Sequence, residues 1–242
     1  MSSFFENLGR KIGRAAVPTY RKSKWIWEGL TGTEEDAIQA EAELGETLAA
    51  EVRIATEILE DPERLQWLRG ICRRLEEAVD QPGFSYHCEL IAGEHPSVMG
   101  LPGGYLFVSG SLIDLCEGNE DEVAFVIAHE TAHVIRRHTW DRMLQQSALR
   151  AASFAAGRAG ILSGWVRQQG LPLLRQAHSK DFEFEADKDG FGLLRAAGFD
   201  PRGALSFLRR IGRLGNDPEE VGEYLVSHPH PEERIEKLGL DS

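Results

Sequence analysis

Cysteine is scarce in this chain of 242 residues: there are three, Cys72, Cys88 and Cys116, odd in number and scattered. They suggest neither a disulfide framework nor a cysteine zinc site, and a reducing compartment fits best. Positive charge is also short. With 27 Lys and Arg against 39 Asp and Glu, the net charge is -12, which argues against a nucleic-acid-binding surface. Long apolar runs are missing too. The opening residues, MSSFFENLGRKIGRAA, hold no stretch of signal-peptide length. The most apolar later stretch, residues 151–166, is interrupted by Arg158 and glycines and is too short to span a bilayer. The expectation is a cytoplasmic protein with no transmembrane segment. At 42% hydrophobic and 27% charged, the chain has the make-up of a soluble globular protein.

What is present centres on residues 119–138, NEDEVAFVIAHETAHVIRRH. Asn119 followed by Glu122 reads as a capping box at a helix start. Val123, Val126, Ile127 and Val134 then recur at helical spacing, so this helix should be largely buried. Inside it, His129 and His133 stand four apart and project from one face, about 6 Å apart along the axis. Such a pair can take two corners of a zinc tetrahedron. Glu130, one step round, faces the metal's open position, where a carboxylate can take a proton from an attacking water and pass it to a leaving nitrogen. The competing reading is two core histidines in a chance motif, set against the cost of burying polar groups in an apolar helix.

A third ligand decides between them. His138 fails on this reading, because it follows on the same helix with no glycine to turn the chain, so the extended HExxHxxGxxH pattern is absent. Residues 181–190, DFEFEADKDG, serve better. Glu183 and Asp187 share one face of a second helix. One of them can bind the metal while the other hydrogen-bonds the far nitrogen of a ligand histidine. The bland alternative is a solvated acidic helix start. Near the C-terminus, residues 227–235, SHPHPEERI, hold His228 and His230 on a proline-stiffened loop. Alone this is a surface turn. Beside a metal, His228 and Arg234 become candidates to stabilise an oxyanion.

Residues 1–30 form a basic amphipathic segment, with Arg10, Lys11, Arg14, Arg21, Lys22 and Lys24 among Phe4, Phe5, Trp25 and Trp27. It suits peripheral contact with the inner face of an anionic membrane, or packing across the acidic body of its own domain. Residues 31–242 read as one catalytic domain. Helices are expected over 33–60 and 63–79, strands over 84–91 and 105–109, a tight turn at Pro102, Gly103 and Gly104, and a helical hairpin over 140–178. Further helices start near Glu183 and after Pro201. A strand arriving just before the metal helix could hold an extended peptide by strand addition.

Taken together, LPGGYLFVSGSLI, EDEVAFVIAHETAHV, EFEAD, GFDP and SHPHPEERI resemble the gluzincin metallopeptidase family that includes HtpX-type membrane peptidases, CAAX prenyl proteases and mitochondrial and periplasmic quality-control peptidases. The resemblance covers roughly residues 85–238. It implies a mainly helical α+β zincin-like domain with a small sheet edge beside the HExxH helix. It also implies one zinc ion per chain on His129, His133 and Glu183, with Glu130 as general base and Asp187 orienting a ligand histidine. His228 and Arg234 match the family's C-terminal His and Arg, implied to act near the oxyanion or, for His228, to cap the zinc in a latent state. Ser97, Val98, Met99 and Gly100 depart from the Asn-Ala-Phe-Ala of many relatives. The implied activity is zinc-dependent endopeptidase cleavage of unfolded or extended protein segments. A latent or non-proteolytic zinc-stabilised chaperone is the alternative. Oligomeric state is left open.

Overall fold

The computed structural model describes residues 34–79, 85–139, 178–214 and 228–240. The basic segment 1–30 and most of the helical hairpin expected over 140–178 lie outside the described residues. The fold is mainly helical with one small sheet, as an α+β zincin-like domain requires.

Helix α1 (Glu34–Ala55) buries Leu44, Leu48 and Val52, one per turn. A side chain at Gly45 would come within 1.9 Å of the Pro102 carbonyl oxygen, so glycine is what lets α1 lie on that turn. The helix stops short of the residue 60 expected for it. Residues 57–59 are instead extended against the sheet, with Leu59 N–H donating to Leu90 O (2.9 Å) and Ala92 N–H to Glu57 O (2.8 Å). Helix α2 (Pro62–Ala78) opens on Asp61, whose carboxylate accepts from Arg64 N–H at 3.0 Å, with Pro62 in the first turn where its missing N–H costs nothing. Leu68, Ile71, Cys72 and Leu75 form its inner face.

The sheet has three strands in the order β1-β3-β2. Strand β1 (His87–Ile91) runs parallel to β3 (Tyr105–Ser109), with Leu90 opposite Val108. Strand β2 (Val98–Leu101) is antiparallel to β3, with Gly100 opposite Leu106. β2 was not among the strands expected, because Val-Met-Gly-Leu has neither alternation nor length. The edge beside the metal helix therefore belongs to β2, while β3 lies in the middle. Between them Gly103 (φ 75°) and Gly104 (φ 80°) take the left-handed conformation that the tight turn demands.

Helices α3 (Gly110–Leu115) and α4 (Glu120–Ile135) follow. Residues 123–128 of α4 are fully buried, so this stretch is apolar all round and lies in the core. Helices α5 (Lys180–Ala196), α6 (Arg202–Arg213) and α7 (Pro231–Leu238) complete the core, where Phe125 of α4 meets Phe207 of α6 with ring centroids 6.2 Å apart. Asn119 caps α4 as expected, accepting from Asp121 and Glu122 N–H (3.1 and 3.2 Å). The reciprocal half of the capping box does not form. Glu122 turns inward, fully buried, where Arg210 (2.8 Å) and Ser206 of α6 bind it. That pair fixes the start of α4 against α6.

All three cysteines are free thiols, but two are not scattered in space: Cys72 Sγ of α2 lies 2.7 Å from Cys88 Sγ of β1. No described helix is long and apolar enough to cross a membrane.

Candidate metal centre

Two helices that must approach closely create the site. A Cβ at Gly190 would lie 2.8 Å from the backbone nitrogen of His129, so glycine lets α5 lie directly on α4. The contact brings the face of Glu183 and Asp187 against the face of His129 and His133. All four side chains are buried.

Three donor atoms converge. His129 Nε2 is 3.1 Å from His133 Nε2 and 3.4 Å from Glu183 Oε2, and His133 Nε2 is 3.5 Å from Glu183 Oε1. Metal-ligand bonds of about 2.0–2.1 Å in a tetrahedron put donors about 3.3–3.4 Å apart. The triangle fits a zinc ion. Moreover, neither oxygen of the buried Glu183 accepts a hydrogen bond among the described residues, a costly state for a carboxylate unless a cation sits there. Of the two acidic residues that the sequence left open, Glu183 faces the triangle and Asp187 stands behind it.

Asp187 Oδ1 meets His129 Nδ1 at 2.9 Å, which turns His129 Nε2 toward the other donors. Arg234 from α7 holds Asp187 in turn, with Nη2 donating to Oδ1 (2.6 Å) and Nε to Oδ2 (2.8 Å). Arg234 is completely buried. It lies on the Nδ1 side of His129, as the partner of Asp187, and not on the Nε2 side where the donors converge. His228 takes the other side. Its Nε2 is 3.4 Å from Glu183 Oε2 and its ring lies 5.2 Å from that of His129. His129, Glu130 and His228 also gather close enough to share a cation.

Glu130 sits on the rim, its Oε2 accepting from Gly100 N–H of β2 at 3.0 Å. At Gly100 an added Cβ would be 3.1–3.2 Å from Glu130 and Val134, which accounts for a glycine at the end of the SVMG departure. Ser109 N–H donates to Ser97 O (2.9 Å), so by the two-residue alternation Met99 and Leu101 also turn their backbone groups to β3, and Val98 and Gly100 turn theirs outward.

Electrostatics follow from burial and neighbours. Burial works against ionisation of Glu183, but His228, His129 and Arg234 outweigh it and hold the carboxyl down to about 2. Asp187 is likewise lowered against its burial, mainly by Arg234. Burial raises Glu130 to about 7, with His129 and Gly100 N–H opposing. His129 is raised to about 9, since Asp187 and Glu183 overcome the effect of burial. His133 is pushed well below its ordinary value by burial and by His129.

The chain does not continue as a straight helix to His138. Arg136 caps α4 and Arg137 adopts a positive φ of 59°, the conformation for which a glycine was sought. The reversal returns His138, whose Nδ1 lies 2.9 Å from His133 Nδ1. His138 is still not a member of the donor triangle. His178 also joins unannounced, its ring stacked 4.2 Å from that of His133.

Known peptidases resemble this chain along most of its length. The model of peptidase family M48 matches residues 62–240. The chain is 28% identical over 215 residues to a beta-barrel assembly-enhancing protease of Yersinia pestis, covering 82% of this chain and 43% of that protein. The figure for its counterpart in Escherichia coli K12 is 28% over 219 residues, with the same coverage. The mitochondrial metalloendopeptidase OMA1 of Schizosaccharomyces pombe is 30% identical over 176 residues, covering 71% of this chain and 51% of that protein. The chain thus spans about half the length, or less, of these relatives.

Proposed function

Since the chain belongs to peptidase family M48, we propose that it is a zinc-dependent metalloendopeptidase that cleaves unfolded or extended protein segments in protein quality control. The observation that carries the reading is the triangle of His129, His133 and Glu183 with Glu130 oriented beside it by Gly100.

His129, His133 and Glu183 would hold the ion. Bound there, zinc would supply a Lewis acid that polarises the scissile carbonyl and acidifies the attacking water. Glu130 accepts the proton at its carboxylate and returns it to the leaving nitrogen; the Gly100 N–H on Oε2 keeps the group aimed while this happens. A carboxyl lifted toward neutrality by burial both takes and gives a proton readily, and a neighbouring cation lowers it again. Asp187 and Arg234 keep His129 in the orientation that points Nε2 at the donors. His228, with Nε2 3.4 Å from Glu183 Oε2, would meet the developing oxyanion.

The outward edge of β2 at Val98, and the carbonyl of Gly100 whose N–H is already given to Glu130, support strand addition as the mode of substrate binding. Main-chain hydrogen bonds would grip a peptide largely without regard to its sequence and reject folded chains. Extended segments are the substrate class this favours. The beta-barrel assembly-enhancing proteases and the metalloendopeptidase OMA1 support the endopeptidase reading by their names. The scarcity of cysteine supports a cytoplasmic location, with segment 1–30 as the part that would touch the inner membrane face.

A second reading has its own observation. His228 Nε2 lies as near Glu183 as the two ligand histidines do, which favours a latent form in which His228 fills the fourth metal position. Cleavage of unfolded casein by zinc-loaded wild type and Glu130→Gln, with zinc measured on both, tests the proposal. Cleavage only by wild type, with equal zinc, is the expected result. If both hold zinc and neither cleaves, His228→Ala decides: activity there means latency, and silence means a binding module.

A further inference from the structure

We propose that His138 is the positioning residue for His133, with the Glu185 carboxylate on its far side, so that the two ligand histidines are oriented by different devices. The proposal rests on the reading of His129, His133 and Glu183 as the zinc ligands.

The argument is one of proton placement. His133 turns Nε2 toward the other donors, 3.1 Å from His129 Nε2 and 3.5 Å from Glu183 Oε1. A neutral imidazole that offers Nε2 to a metal carries its proton on Nδ1. That nitrogen lies 2.9 Å from His138 Nδ1. Only one of the two can carry the proton between them, so His138 accepts there and bears its own proton on Nε2. On that side the Glu185 carboxylate lies in ion-pair range, Oε2 3.5 Å from His138 Nε2, without hydrogen-bond geometry. Glu185 is itself held by Arg136 at 3.1 Å, and Arg136 also pairs with Asp189. A carboxylate thus faces each ligand histidine: Asp187 directly for His129, and Glu185 through an intervening imidazole for His133.

His138 is fixed for this task. It is fully buried, and its ring lies flat on Phe182, with centroids 4.2 Å apart and planes 6° from parallel. The turn at Arg137, with its positive φ of 59°, brings it there. A non-glycine residue in that conformation carries a conformational cost that the surrounding contacts must offset. Packing alone would be served by any apolar side chain on Phe182. Only an acceptor at the Nδ1 position serves His133.

Zinc affinity of the full chain, measured by chelator competition, separates the two roles. Asn places an acceptor where His Nδ1 stands, whereas Leu preserves the apolar contact and removes the acceptor. His138→Leu should bind zinc about 10–100-fold more weakly, and His138→Asn should stay close to wild type. If Leu matches wild type, or if Asn loses as much as Leu, the proposal is overturned. A readout on wild type needs no variant to fold: long-range proton–nitrogen spectra of the zinc-loaded protein should show His133 as the Nδ1–H tautomer and His138 as the Nε2–H tautomer. The reverse assignment overturns it as well. His133→Ala is the control for the metal centre; if that variant keeps wild-type affinity, the ligand reading fails and the role of His138 fails with it.

Discussion

Arg234 grips Asp187 through two hydrogen bonds of 2.6 and 2.8 Å, in a pair with essentially no exposure to solvent. Attraction between buried charges barely repays their desolvation, but removing one leaves the other stranded. Arg234→Met should therefore destabilise the protein by about 3–5 kcal/mol, seen as a large fall in melting temperature. Adding Asp187→Asn should restore much of that stability. Zinc affinity should stay low in the double variant, because the carboxylate that orients His129 is gone. Chelator titration beside thermal melting checks both halves.

The metal-free protein should have a stability optimum set by the site itself. Glu183 and Asp187 have folded values below their ordinary ones, so their stabilisation is present above roughly pH 5 and is lost as pH falls toward 2. His129 has a folded value raised to about 9, so its contribution is present below roughly pH 6 and is lost as pH rises through 9. Urea denaturation of the metal-free chain across pH 3 to 9 should show a maximum between those limits. Glu183→Gln should flatten the acid side. An unchanged slope in that variant would remove Glu183 from the account.

Contact between α4 and α5 depends on a hydrogen atom at position 190. Gly190→Ala puts a methyl group 2.8–2.9 Å from the His129 backbone, and the helices must separate to admit it. The expected cost is about 1–3 kcal/mol, as for overpacking elsewhere. Zinc content after dialysis against a weak chelator should fall with it. Gly70, which has open space around it, provides the comparison: Gly70→Ala should leave zinc content unchanged and improve α2 slightly.

Thiol chemistry should report folding and little else. Cys116 is pushed up to about 12 by burial and the nearby Glu122, and Cys72 is raised further by Cys88 and by burial. A thiol reacts as its thiolate. All three cysteines are also buried, so at pH 8 iodoacetamide should leave them unmodified in the folded chain and label all three in denaturant, counted by intact mass.

How much of this was legible in the sequence depends on the range of the interaction. His129 with His133, and Glu183 with Asp187, are each fixed by one turn of helix, so spacing alone placed each pair on a common face. The Asn119 cap and the glycine turn at 103–104 are local in the same sense. Glu122 was misassigned because its partner, Arg210, is 88 residues away, and the local alternative in a capping box looked complete. Strand β2 is held by β3 and by the flank of α4, and its own four residues carry no strand signal. His138 was set aside for want of a glycine, yet Arg137 makes the reversal. Tertiary contacts around it, not its intrinsic preference, select that conformation. Arg234 carried the right signal, a cation near the site, but its side of His129 is a matter of how α7 docks.

The donors that could hold zinc come from positions 129, 133 and 183, and this separation has a mechanical meaning. An ion bound there ties a loop of 49 residues between His133 and Glu183. Closing such a loop is entropically expensive for an unfolded chain, whereas the folded core has already met that cost. The two histidines on one helix could catch an ion by themselves during synthesis, and Glu183 would lock it only after α5 docks. Metal retention would then act as a latch on the completed fold, and its release would be an early sign that α5 has lifted from α4.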